Sequence, residues 1–230
     1  MREIGVHEFA SYASLLDSDN NEKNELLECL VTHTTGFFRE PAHFDWLRST
    51  GLEMLQSKSD EPIRVWSAAC STGAELWSAA MEIAAFQANQ GKNYQAELFG
   101  TDISRTILLR AVDGVYEFSE IEAIPDSYRA KFIQKSSGTL DRFRICPQIL
   151  NSAKFEQLNL VESSNSLGKF DLIFLRNILI YFDKYNQERA LEYAVSHLSS
   201  GGILMIGHTE AQALNTSGLK RLAPAIFMKE

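Results

Sequence analysis

Cysteine pairs, excess basic charge and long apolar runs are what this sequence lacks, and each absence removes a class of function. Its 230 residues hold only three cysteines, Cys29, Cys70 and Cys146, with no CxxC pair and no histidine at zinc-ligand spacing. That excludes a disulfide framework and leaves no support for a metal site, while scattered thiols suit a reducing cytoplasm. Lys and Arg number 22 against 30 Asp and Glu, a formal charge of −8. A nucleic-acid partner would need a basic face to neutralise phosphates and release counterions, so RNA and DNA are poor candidates. No stretch approaches the roughly 18 consecutive apolar residues of a membrane span. The start, MREIGVHEFASYASLLD, has no basic and then apolar run of the signal-peptide kind. A soluble intracellular chain is the expectation.

What is present is 45% hydrophobic content, enough for one substantial core at a length that suits one α/β domain with an appendage. Charge is uneven. Residues 1–31 carry two basic and seven acidic side chains, a net −5, and read as helical; residues 129–144 carry five basic and one acidic, a net +4. Between them IRVWSAAC (63–70), AELWSAAMEIAAFQANQ (74–90) and QAELFGTD (95–102) alternate as strand, helix and strand of a βαβ unit. Leu76, Ala79, Ala80, Ile83 and Phe86 recur at helical spacing, and Gly91 ends the helix. Further strands are expected at 154–159, 170–175, 202–207 and 226–229. Helices are expected at 42–49 and at 185–198, the latter with Tyr185, Arg189, Glu192 and Ser196 outward. Pro125, Gly138 and Pro147 break the alternation, so 114–150 reads as an insertion with a short β-ribbon.

Three places carry chemistry. SAACSTGAE (67–75) turns from strand to helix through small residues, which lets a ligand approach the backbone and the first free helix N–H groups. It has neither GxGxxG nor a Lys-Ser/Thr pair, and packing alone also explains a small-residue βα turn. Asp102 closes the next strand, where a carboxylate can accept both ribose hydroxyls of an adenosine; an N-cap ahead of ISRTILLRA is its other reading. FDLIFLRNILIYFD (170–183) interrupts an apolar run with Arg176 and Asn177 at the ligand-binding edge of a strand. The alternative is an arginine paired with a core carboxylate. THTTGFFREPAHF (32–44), with Arg39, can be a domain-joining loop, and His208 and Glu210 in GHTEA can be a cap or a loop hydrogen bond.

In order, THTTGFFRE, VWSAACSTGAELWSAAM, FGTDIS, AVDGVY, FEQLNL, FDLIFLRNILIYFD and GGILMIGHTEA resemble the CheR-type chemotaxis receptor methyltransferases over about residues 32–230. The resemblance implies a Rossmann-like α/β sheet with helices on both faces. A shortened N-terminal helical segment and linker would occupy 1–50, and a methyltransferase domain 51–230 with an inserted β-subdomain at about 114–150. It implies S-adenosylmethionine-dependent methyl esterification of glutamates on the cytoplasmic helices of chemoreceptors, with S-adenosylhomocysteine as product. By matched position Thr35, Arg39, Glu75, Asp102, Asn159, Leu160, Arg176 and Asn177 resemble the cofactor-contacting set, and Arg39 and Tyr181 the residues that face the reactive methyl. The family's usual acidic-receptor docking through a basic N-terminal helix is not matched by the acidic 1–31 segment, so the basic 129–144 segment is the expected receptor contact. His33 stands where the family often has Asn. Competing readings are a cofactor-binding signalling adaptor without turnover, and a carboxyl methyltransferase acting on another protein or a small molecule.

Overall fold

The structure, a computed structural model, describes residues 8–32, 34–56, 61–135, 141–164, 166–212 and 218–230; His33 and residues 1–7 lie outside that set. The chain divides into two compact units at Thr34/Thr35. The first holds α1 (Phe9–Ser18) and α2 (Asn20–Leu30), consistent with the acidic helical reading. Asp19 caps α2 by accepting from the amides of Asn21 and Glu22. The Tyr12 hydroxyl donates to Glu22 Oε1 at 2.7 Å, tying the two helices together.

The boundary falls earlier than residue 50 because the FFRE segment belongs to the second core. Phe37, Phe38, Phe44 and Leu47 are buried there. The expected helix at 42–49 is α3 (Pro41–Trp46), continued by a π-turn at Leu47–Gly51 into α4 (Leu52–Gln56).

The second unit is built on β1 (Ile63–Ala68), α5 (Ala74–Asn89), β2 (Ala96–Asp102) and α6 (Arg105–Asp113). The insertion follows as β3 (Val115–Glu117), α7 (Asp126–Phe132), β4 (Ile133–Lys135), β5 (Arg142–Ile145) and α8 (Pro147–Leu150). The chain then returns through β6 (Ala153–Gln157), β7 (Phe170–Leu175), α9 (Lys184–Ser196), β8 (Leu198–Ile206), β9 (Leu219–Ala223) and β10 (Ile226–Lys229). The main sheet runs β6-β2-β1-β7-β8-β10-β9. Its first five strands are parallel, and β10 and β9 add an antiparallel edge.

Continuous apolar runs such as FDLIFL fit this arrangement because a parallel sheet is covered on both faces. Alternate residues of the central strands enter two clusters. Val65, Leu172, Phe174, Ile203 and Met205 pack with α5 on one side. Trp66, Ala68, Ile173, Leu175, Leu204 and Ile206 pack with α9 on the other. Tyr185, Arg189, Glu192 and Ser196 are exposed on α9, as its period requires. Sequence order leaves β1 toward β2 on one side and toward β7 on the other, and the C-terminal ends of the strands at such a switch point are where open α/β sheets form their ligand crevice.

The insertion is a three-stranded antiparallel ribbon, β3-β5-β4, on which Phe143 and Ile145 face the core and Arg142 and Arg144 face out. The basic patch is narrower than its composition suggests. Arg129 donates to the Ile124 and Glu122 carbonyls and pairs with Asp126, and Arg142 pairs with Glu117 at 3.0 Å. Lys131, Arg142 and Arg144 are exposed, Arg142 with its charge met by Glu117. No helix among the described residues is long and apolar enough to cross a membrane.

Candidate active site

Three loops meet at the crevice. The first leaves β1 through Ala69-Cys70-Ser71-Thr72-Gly73, with φ of 64° at Ala69, 51° at Ser71 and 83° at Gly73. Left-handed backbone disfavours large or branched side chains, so the small-residue run is a conformational requirement. At Gly73 space adds a second reason, since a Cβ would lie 3.0 Å from Trp77 Nε1 and 3.1 Å from Ala111 Cβ. The insertion braces this turn: the Tyr116 hydroxyl donates to the Thr72 carbonyl and accepts from Trp77 Nε1 at 2.6 Å.

Asp102 ends β2 beside that turn and is buried at 8% exposure. Its Oδ2 accepts the Ser71 amide at 2.8 Å and its Oδ1 the Ser104 amide at 3.0 Å. The cap of α6 is Ser104, whose hydroxyl accepts the Ile107 amide, so the N-cap reading passes from Asp102 to Ser104. Asp102 fixes the turn instead. Its own carbonyl accepts the Leu158 amide, which brings the loop after β6 alongside. In that loop Asn159 is half-buried with Oδ1 accepting the Val161 amide, and Leu160 is buried.

The third loop follows β7. The Arg176 side chain is 1% exposed, not at the open mouth of the crevice but directed inward. Its Nη1 meets Glu75 Oε2 at 3.0 Å, its Nη2 donates to the Arg39 carbonyl and lies 3.4 Å from Glu40 Oε2, and its Cζ stands 5.6 Å from the Phe44 ring centroid. The paired-arginine alternative is therefore realised in geometry, at the site rather than away from it. One guanidinium joins the first turn of α5 to the FFRE loop. That loop is also bolted to α5 by the Phe38 amide, which donates to Ser78 Oγ at 2.9 Å. Thr35 is half-buried at its start and the Arg39 side chain is exposed at its tip.

The electrostatics follow from this packing. Burial pushes the Glu75 carboxyl up, and Arg176 and the Ser67 hydroxyl, which donates to Oε1 at 2.7 Å, pull against it without cancelling it. For Glu40 burial also raises, but the His208 hydrogen bond at 2.8 Å, Arg176, the Asn177 side-chain Nδ2 and His43 outweigh it and bring the carboxyl down to about 2. His43 is lowered to about 3, by burial first and then by the Arg176 and His208 charges. It is neutral at ordinary pH, and its 3.4 Å approach to Glu40 is not an ion pair. Burial, with Asp102 and Glu75 nearby, raises the Cys70 thiol, which keeps it protonated and unreactive.

Glu40, His43 and His208 offer ligand atoms within 4.8 Å of one another. Their geometry is poor for a metal ion. The two imidazoles stack at 4.4 Å and 15°, so their in-plane lone pairs run side by side rather than converging, and Arg176 already approaches the shared carboxylate oxygen.

Tyr181 ends a 3₁₀ turn at Leu179–Tyr181 and is 59% exposed, beside exposed Ile180. The loop carrying it is anchored by Glu210: the loop hydrogen bond expected in GHTEA is made to the Gly207 amide, while the amides of Asn177, Leu179 and Ile180, distant in sequence, could not be read from it. These groups suit an adenosyl amino acid: acceptor carboxylates at the end of β2 and the start of α5, and a turn of small side chains that admits close backbone approach.

The family model for the CheR methyltransferase, SAM binding domain, matches residues 33–224. A chemotaxis protein methyltransferase of Borreliella burgdorferi is 32% identical over 98% of this chain and 81% of its own length. Chemotaxis protein methyltransferase 2 of Pseudomonas aeruginosa is 34% identical over 91% and 74%, and the Salmonella typhimurium enzyme 34% over 91% and 72%. With the crevice, its carboxylates and its braced turn at the C-terminal edge of the sheet, the chain belongs to the CheR methyltransferase family and is an S-adenosylmethionine-dependent methyltransferase of chemotaxis.

Proposed function

We propose that this enzyme works in the cytoplasm and esterifies glutamate side chains on the cytoplasmic helices of methyl-accepting chemoreceptors, releasing S-adenosylhomocysteine. The observation that carries the reading is the joining of Asp102, Glu75 and the FFRE loop around one crevice by the Ser71 amide and the Arg176 guanidinium. S-adenosylmethionine supplies the electrophilic methyl. Asp102 is assigned to the ribose hydroxyls and Glu75 to the cationic end of the cofactor, with Thr35, Arg39, Asn159, Leu160 and Asn177 completing the set. Arg176 acts through the Glu75 carboxylate and the Arg39 carbonyl that it holds in place.

The acceptor needs no general base, because a free glutamate carboxylate titrates near about 4.3 and is ionised at neutral pH. What remains is to align an anion with a sulfonium methyl out of water, so positioning supplies most of the acceleration. The exposed Arg39 side chain can hold the acceptor carboxylate by its planar fork. Ile180 and Tyr181 are the exposed apolar edge against which an acceptor helix would rest. Receptor contact is assigned to the exposed basic residues of the insertion, Lys131 on α7 and Arg144 on the outer face of β5.

The test is transfer of labelled methyl from S-adenosylmethionine to receptor membranes, released by base as an ester label is. Cofactor binding without transfer to any receptor of the same cell would favour the adaptor reading. Transfer to another protein or small carboxylate alone would change the acceptor and keep the site.

A further inference from the structure

We infer that Glu210 is a positioning residue for methyl transfer: its carboxylate sets the backbone of the loop that presents Asn177 and Tyr181. This rests on the methyltransferase reading of the site and adds a residue outside its contact set. Glu210 is buried at 5% exposure, and both oxygens face main-chain donors. Oε2 accepts the Asn177 amide at 2.8 Å and the Gly207 amide at 3.0 Å; Oε1 accepts the Leu179 amide at 2.7 Å and the Ile180 amide at 3.3 Å. Four N–H groups from the loops that follow two neighbouring parallel strands thus converge on one side chain.

The loop needs such an anchor. Asn177 sits at φ 58°, a left-handed conformation that asparagine tolerates better than other non-glycine residues, and the Glu210 carboxylate fixes it there through the backbone amide. The Asn177 side chain at the same time donates to Glu40 Oε1 at 3.1 Å, so the residue joins the FFRE loop to the end of β7. Gly207 supplies an independent sign that the carboxylate's seat is reserved. A Cβ there would stand 2.2 Å from Glu210 Oε2 and 3.1 Å from Asn177 Nδ2. The carboxylate is held in its turn by the Glu210 amide, which donates to the Gly207 carbonyl at 3.0 Å.

Charge, not size, is what the seat selects. Glutamine has the same shape but turns an NH₂ toward two of the N–H donors, leaving them unpaired in a buried place. Two variants separate positioning from bulk stability. Glu210→Gln is measured beside Glu82→Gln, whose carboxylate is also buried but accepts from Arg48 and Tyr128, which are not part of the loop after β7. Glu210→Gln is expected to lower kcat with saturating cofactor and receptor at least tenfold and to weaken S-adenosylhomocysteine binding at least fivefold. Glu82→Gln, at a similar loss of Tm, keeps both within twofold of wild type, and Glu210→Asp, with both acceptor oxygens, recovers part of the lost kcat. Wild-type kcat and affinity in Glu210→Gln would overturn the assignment, as would equal kinetic losses in Glu82→Gln. Should Glu210→Gln not fold, Gly207→Ala, which evicts the carboxylate, is read by the same two measurements with the same outcomes. Failure of the wild type itself to bind S-adenosylhomocysteine would overturn the methyltransferase site instead, so the two failures are distinct.

Discussion

Replacing Arg176 by methionine keeps an extended apolar side chain against Phe44 but removes the cation between Glu75, Glu40 and the Arg39 carbonyl. Removing one partner of a buried ion pair typically costs about 3–5 kcal/mol, because the other charge stays buried without compensation. A unit of this size loses about 2–4 °C of Tm per kcal/mol, so Arg176→Met is expected to melt roughly 6–20 °C below wild type at pH 8. The loss should depend on pH, with a definite sign. Glu75 already has its carboxyl raised, and Arg176 is the largest influence opposing burial. Without it the folded state holds a proton that the unfolded state has released, so stability falls as pH rises, by at most about 1.36 kcal/mol per unit. Urea denaturation between pH 5 and 8 should show that slope steepened in Arg176→Met. Glu75→Gln in the same background should abolish the added slope and recover most of the stability, since a buried pair replaced on both sides is often close to neutral. An Arg176→Met protein with wild-type Tm at pH 8 and no added slope would refute the reasoning.

Other outcomes are simpler to state. Asp102→Ala should reduce S-adenosylhomocysteine affinity in calorimetry by tenfold or more, and loosen the turn whose Ser71 amide it holds. Tyr181→Phe should lower kcat for receptor methylation several-fold while leaving cofactor affinity within twofold, if the exposed phenol meets the acceptor as proposed. His43 has its imidazole held down to about 3, so proton uptake by the unfolded chain should destabilise the fold as pH falls below about 6.5 toward 3. His43→Phe should flatten that part of the Tm–pH curve. Arg144→Glu should weaken receptor pull-down at low salt and leave cofactor affinity unchanged.

Much of the sheet was legible from local pattern. FDLIFL and IFMK are strands over the expected residues, and the helix read at 74–90 is α5 at Ala74–Asn89. The miss at β9 has a physical cause: LKRLA is an edge strand with exposed Lys220 and Arg221, and edge strands carry charge in place of an apolar stripe. α5 hid more. Its buried Ser78, Glu82 and Gln87 look like solvent positions in a helical wheel, yet each is satisfied from another element. Within the site, the sequence pointed to Asp102 and Arg176 through their strand ends. It could not show that Arg176 turns inward to Glu75, a residue 101 positions earlier, nor that Glu210 reads backbone amides distant in sequence. Those relations arise only when parallel strands distant in sequence are laid side by side.

Tyr116 belongs by sequence to the inserted ribbon but by hydrogen bonding to the Thr72 turn and Trp77. The insertion is consequently no detachable module. Grafting a foreign ribbon to retarget the enzyme would also remove a strut of its cofactor turn, leaving the Trp77 indole N–H and the Thr72 carbonyl to find new partners. A chimera that carries Tyr116 across the junction should keep the chemistry while changing the recognition surface. One that omits it would lose both, and would be misread as a failure of docking.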